Sequence, residues 1–126
     1  MPRDPNVPAA FDVYTVVMLR RPDDAPEMSE AELDELQARH LAYRARLWRE
    51  GVLVVNGPFG DQSDPSYRGM SVFACDPEEA AHLSDADPSV VAGRLDYDVM
   101  RWWVRAGALA FPMADRPVGE RRSMPD

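Results

Sequence analysis

Lysine is absent from these 126 residues, and all fourteen basic side chains are arginine. With twelve prolines and many alanines, that bias reads as the codon usage of a GC-rich genome rather than as function. Cysteine is almost absent: Cys75 stands alone and has no internal disulfide partner, which fits a reducing cytoplasm. The opening MPRDPNVPAAF lacks a charged stretch followed by an apolar one, so no secretory signal is expected. Histidine occurs only at His40 and His82, outside any His-x-x-x-His or carboxylate cluster, and no metal centre is expected. No apolar run reaches the ~18–20 residues that span a bilayer, which removes the membrane as a partner. A formal net charge of −8 offers little excess of basic groups to phosphates, which argues against nucleic acid. Neither a Gly-rich phosphate loop nor a dinucleotide fingerprint is present, so no cofactor is expected.

What remains is the material of one globular domain, 45% hydrophobic and long enough to bury a core without staples. Residues 1–11 carry three prolines and little periodicity, and read as a flexible arm. FDVYTVVMLR (11–20) reads as a strand apolar on both sides: Val13, Thr15, Val17 and Leu19 face one way, Tyr14, Val16 and Met18 the other. Ser29-Glu30-Ala31-Glu32 is a capping box that opens a helix over about 30–50, closed by Gly51. Its acids (Glu30, Glu32, Asp34, Glu35) precede its bases (Arg39, Arg44, Arg46, Arg49), an order that complements the helix dipole and gives these charges a sufficient structural reason. A second strand, 52–59, is broken by Gly57-Pro58, and a third covers 67–75. Asp76-Pro77-Glu78-Glu79 starts a second helix to about 85, and Asp87-Pro88 repeats the signature for a short helical turn. The fourth strand covers 94–104. Residues 106–126 read as a tail outside the core sheet that packs through Leu109 and Phe111, leaving 12–105 as the domain.

The order β-α-β-β-α-β is the ferredoxin-like α+β arrangement, a four-stranded antiparallel sheet with two helices on one face. Two helices leave the other apolar face open. A second copy of the sheet is the simplest cover, and a homodimer of the dimeric α+β barrel type is expected.

Chemistry concentrates on few residues. His40 lies on the inward helix stripe with Leu33, Leu36, Tyr43 and Leu47, either as a core histidine with a backbone partner or as a proton carrier facing a pocket. Asp87 reads as an N-cap before proline, yet a carboxylate has oxygens enough to accept from an imidazole as well. Asp85 competes for that role. Gly57-Pro58 ends a strand and lets a loop approach a pocket, and Arg68, Ser71, Tyr97 and Arg101 can face a ligand. Trp102 and Trp103 read as core or dimer interface, Cys75 as buried filler, His82 and Asp61 as surface residues.

The ordered set His40-Leu41, Gly51, Gly57-Pro58, Asp87-Pro88 and Gly93 resembles the YCII-like family over about residues 12–104. The resemblance implies a small dimeric ferredoxin-like protein whose helical histidine and Asp-Pro aspartate form the active-site pair, here His40 and Asp87. It also implies relatives among dehydrochlorinases and muconolactone isomerase-type enzymes. The arm, the acidic loop 22–32 and the tail depart from the short family members. Two functions follow as expectations. One is a cofactor-independent enzyme in which His40, oriented by Asp87, moves a proton on an aromatic, enol or lactone-like substrate in isomerisation or elimination. Gly57, Pro58, Arg68, Ser71 and Tyr97 would bind that substrate. The other is a non-catalytic metabolite-binding or accessory protein using the same pocket.

Overall fold

A strand that is apolar on both faces must be covered on both, and β1 (Ala10–Arg20) accordingly lies inside the sheet with residues 12–17 all buried. The computed structural model describes residues 4–111 and 120–123. After β1 come α1 (Glu30–Arg49), β2 (Leu53–Pro58), β3 (Tyr67–Phe73), α2 (Pro77–Asp85), α3 (Pro88–Val91), β4 (Asp96–Arg105) and β5 (Glu120–Ser123). The four main strands are antiparallel in the order β2-β3-β1-β4, and the helices pack on one face. This is the ferredoxin-like α+β fold expected from the element order.

On the helix face, Val17, Leu19, Leu53 and Phe73 of the sheet meet Leu47 of α1 and Ala80 of α2. Each large side chain buried there contributes about 1.5–3 kcal/mol relative to exposure. Helix α1 starts where the Ser29 hydroxyl accepts from the Glu32 N–H (3.1 Å) while the Glu32 carboxylate accepts from the Ser29 N–H (3.1 Å). That reciprocal box sets the phase of the helix and so turns Leu36, His40, Arg44 and Leu47 toward the sheet. Gly51, at φ 84°, releases the chain from the helix in a conformation that favours glycine.

Two expectations are corrected. Gly57 and Pro58 do not break the second strand but belong to β2, opposite Met70 and Gly69. β2 is an edge strand, where proline's missing N–H costs no ladder bond. The tail is not wholly outside the sheet: β5 pairs antiparallel with β1 from Ala10↔Ser123 to Val13↔Glu120. The reason is the length of β1, which outruns β3 and leaves the Ala10–Val13 edge with backbone groups to satisfy. Of the expected packing residues, Phe111 sets its ring edge-on to Tyr14 at 5.8 Å, whereas Leu109 is exposed. Phe111 and Val104 cover part of the second face, over Tyr14, Val16, Val54 and Val72. Met100 and Trp102 on that face remain 44% and 40% exposed.

Candidate active site

His40 and Asp87 come together. The imidazole Nδ1 lies 2.8 Å from Asp87 Oδ1, with the carboxylate wholly buried and the imidazole 13% exposed. Asp87 also caps α3: Oδ1 accepts from the Ser89 N–H at 2.8 Å, and Pro88 takes the first helical position. Capping places the carboxylate beneath α1, within reach of residues one turn apart on its inner face. Arg44, four residues after His40, donates from Nε to Asp87 Oδ2 at 2.9 Å and from Nη1 to the Ser71 hydroxyl at 2.7 Å. Burial alone would push the Asp87 carboxyl up. The His40 hydrogen bond, the Arg44 charge and the Ser89 N–H together outweigh it, and the group is held below its ordinary range.

An ionised Asp87 only accepts, so the proton between it and a neutral His40 sits on Nδ1. Nε2 is then the basic nitrogen, and it has no hydrogen-bond partner among the described residues. His40 lines a cavity of about 630 Å³ between the inner face of α1 and the ends of β1, β2 and β3. A volume of that order suits a small organic molecule. Leu19, Leu33, Leu36 and Leu95 supply apolar wall, and Asn56, Ser71 and Ser89 supply polar groups.

Of the other residues singled out from sequence, Gly57, Pro58, Arg68 and Ser71 line this cavity. Tyr97 does not, and its expected role is corrected: its hydroxyl donates to Asp85 Oδ1 at 2.7 Å and lies 3.2 Å from the Ala81 carbonyl. Burial and the Asp85 carboxylate push that phenol up to about 12. Asp85 is thereby engaged with Tyr97, leaving Asp87 as the partner of His40. Arg101, Asp61 and His82 are exposed and lie away from the cavity. Cys75 is half-buried, and burial together with Glu79 and Asp76 pushes its thiol up to about 12.

A model of the YCII-related domain matches residues 13–103. The chain belongs to the YCII-related family. His40, Arg44 and Asp87 all lie inside the matched span, as do the cavity-lining parts of β1, β2 and β3. No curated protein matches the chain. Among the matching solved structures is 5-chloro-2-hydroxyhydroquinone dehydrochlorinase from Burkholderia phenoliruptrix AC1100, in complex with 2,5-dihydroxybenzoquinone. It is 23% identical, with 71% of this chain and 92% of that chain covered at a TM-score of 0.49.

Arg44 is the residue of the site that the sequence pattern passes over. Its charge complements the dipole of α1, a sufficient local reason for it, but the side chain is 3% exposed and bonded to Asp87 and Ser71. The available signal was its position four residues beyond His40, on the same stripe. Arg21 and Arg94 also line the cavity, and neither stood out in the sequence because only the tertiary fold brings them there. Among the described residues no group of three or more His, Cys, Asp or Glu side chains could hold a metal ion. No helix of the described chain is long and apolar enough to cross a membrane.

Proposed function

We propose that this YCII-related protein is a small-molecule enzyme that moves protons with His40, oriented by Asp87. The observation that carries the reading is the 2.8 Å contact from His40 Nδ1 to a wholly buried carboxylate, made at the wall of a ligand-sized cavity. Neutral His40 takes a proton through Nε2 from a phenol, an enol or a carbon beside a carbonyl. Asp87 stabilises the imidazolium so formed and holds the ring in place. Arg44 keeps Asp87 ionised during that step, so the proton stays on the imidazole for redelivery rather than passing to the carboxylate. Return of the proton to a different atom completes an isomerisation. Departure of a leaving group with its electron pair completes an elimination. The apolar walls of the cavity favour an aromatic, enol or lactone-like substrate.

The test is a screen of small phenols, enols and enol lactones in D2O, followed by proton NMR for deuterium incorporation and product. His40→Gln lowers kcat/KM by about 10²–10⁴ on any compound turned over. Unchanged turnover in that variant sinks the assignment, and ligand binding without any turnover supports a binding protein instead. A second part of the proposal concerns assembly: the face that leaves Trp102 and Met100 exposed packs against a second copy of the chain. Sizing with light scattering then gives twice the 14.1 kDa chain mass, and Trp102→Arg lowers it toward one. A wild-type monomer at every concentration refutes this part.

A further inference from the structure

In a chain of net charge −8, the cavity beside His40 is cationic. Four guanidinium groups line it, Arg21, Arg44, Arg68 and Arg94, against one lining acid, Asp34, and the buried Asp87 beneath. Asp87 neutralises only Arg44. The other three converge from separate segments. Arg20 ends β1 opposite Tyr67 of β3 and Asp96 of β4, and the next residue, Arg21, donates its backbone N–H to the Ser66 carbonyl at 2.8 Å. Arg21 therefore stands between the start of β3, which carries Arg68, and the residues leading into β4, which include Arg94.

These side chains hold charge that the described protein leaves uncompensated. Arg68 Nη1 donates to the Pro65 carbonyl at 3.1 Å and Arg94 Nη1 to the Pro26 carbonyl at 3.0 Å, but among the described residues none of the three is ion-paired. The nearby Asp98 is taken by Arg20 in a two-pronged pair at 2.8 and 3.1 Å. Arg21 Nε is buried with no hydrogen-bond partner among the described residues, and Arg44 Nη2, on the same lining, is in the same condition. Leaving a buried charged donor unmade is costly, and so is holding like charges together. Burial and the charges of Arg94 and Arg68 push the Arg21 guanidinium down. A negatively charged group in the cavity relieves both costs. Planar guanidinium forks match a carboxylate or phosphate two bonds at a time.

We propose that Arg21, Arg68 and Arg94 form an oxyanion-binding subsite at the β1 end of the cavity. It takes a carboxylate or phosphate group of the substrate and so sets the reacting part of the molecule before His40. This rests on the reading of the cavity as a substrate site and narrows the substrate class to small organic acids. The anionic group serves as an anchor and is not the group that exchanges its proton with His40; the arginines hold it and so position the substrate.

The full-length protein is titrated with benzoate, phenyl phosphate and neutral benzamide, and binding is read from backbone and arginine Nε NMR shifts. Benzoate or phenyl phosphate binds at least about tenfold more tightly than benzamide, as expected for charge-assisted hydrogen bonds. Whichever anion binds better identifies the group. Arg21→Gln and Arg94→Gln, checked for an unchanged fold by the same spectra, each weaken the anion by about tenfold and leave benzamide alone. Equal binding of benzamide and benzoate overturns the subsite, as does no anion binding, or affinity unaffected by both substitutions. The dyad reading is judged separately, by turnover in His40→Gln. Anion binding that depends on the arginines without His40-dependent turnover supports the subsite alone, and His40-dependent turnover of neutral compounds without anion binding overturns it.

Discussion

Replacing Arg44 by methionine isolates what holds Asp87 in its charged state. Methionine fills much of the arginine stem's place, so the perturbation is electrostatic more than steric. It removes the donor to Asp87 at 2.9 Å and the donor to Ser71 at 2.7 Å. The carboxylate left behind is wholly buried, and the side chain removed is 4% exposed, so water does little to compensate. Breaking a buried ion pair by deleting one partner costs about 3–5 kcal/mol. Asp87 keeps the bonds from His40 and the Ser89 N–H, which puts the expected loss near the lower end, about 3 kcal/mol. Urea denaturation followed by the fluorescence of Trp48, Trp102 and Trp103 reads this out at one fixed protein concentration. With a slope of about 1.5 kcal/mol per molar urea, the midpoint falls by about 2 M. Asp87→Asn leaves Arg44 as the stranded charge and costs a similar amount. The double variant therefore loses much less than the sum, with a coupling of about 1–3 kcal/mol. A midpoint shift for Arg44→Met below about 0.5 M, or strict additivity in the double variant, refutes the claim that these two groups stabilise each other.

Asp87 also predicts a pH window. Its folded-state value is depressed, so its contribution is fully present above the ordinary aspartate value of 3.8 and fades as pH falls through the lower folded value. The stability gap between the wild type and Asp87→Asn is therefore wide at pH 7 and closes in strong acid; a gap independent of pH contradicts the depression. Gly69→Ala puts a methyl group 2.8 Å from the Gly57 carbonyl oxygen and 3.3 Å from Pro58 Cα, both backbone atoms. Pushing β2 off β3 costs about 1–3 kcal/mol of stability in the same urea assay, and a neutral result means the edge strand yields freely. Cys75, its thiol pushed up to about 12, stays protonated at pH 8 and reacts with iodoacetamide far more slowly than free cysteine, as mass spectrometry of the native protein records. Rapid labelling shows that the site opens.

Legibility in the sequence followed the range of the interaction. The capping box at Ser29, the Asp76-Pro77 and Asp87-Pro88 helix starts and the two-faced β1 are local patterns, and the structure repeats them within a residue or so. Contacts that depend on how segments meet were harder to read. Gly57-Pro58 carries the signature of a strand end, and β2 does end at Pro58; that both residues still pair with β3 rests on β2 lying at the edge, where proline's missing N–H is not needed. Tyr97 alternates correctly along β4, but its hydroxyl finds Asp85, and alternation says nothing about what stands opposite. β5 pairs where β1 outlasts β3, a difference in length between strands distant in the chain.

Arg44 shows why a sufficient local explanation can hide a tertiary one. As one of several arginines in the second half of α1, it complements the helix dipole whether it is buried or not. The dipole contributes a few tenths of a kcal/mol to about 1 kcal/mol for an exposed charge, and Arg46 and Arg49 in the last turn already supply it. Burying a guanidinium is far more costly and persists only with a partner of equal standing, which here is Asp87. That partner is shared. If the carboxylate answered to Arg44 alone, the pair would be a structural tie, and His40 would be one more core histidine. If it answered to His40 alone, proton transfer would risk neutralising it. With both donors present, one oxygen is held by a permanent cation and the other faces a titratable ring, so charge on the imidazole can change while the carboxylate stays ionised. The division of Asp87 between Arg44 and His40 is the arrangement that the proposed proton transfer would need: a carboxylate that caps a helix, stays ionised and orients the ring.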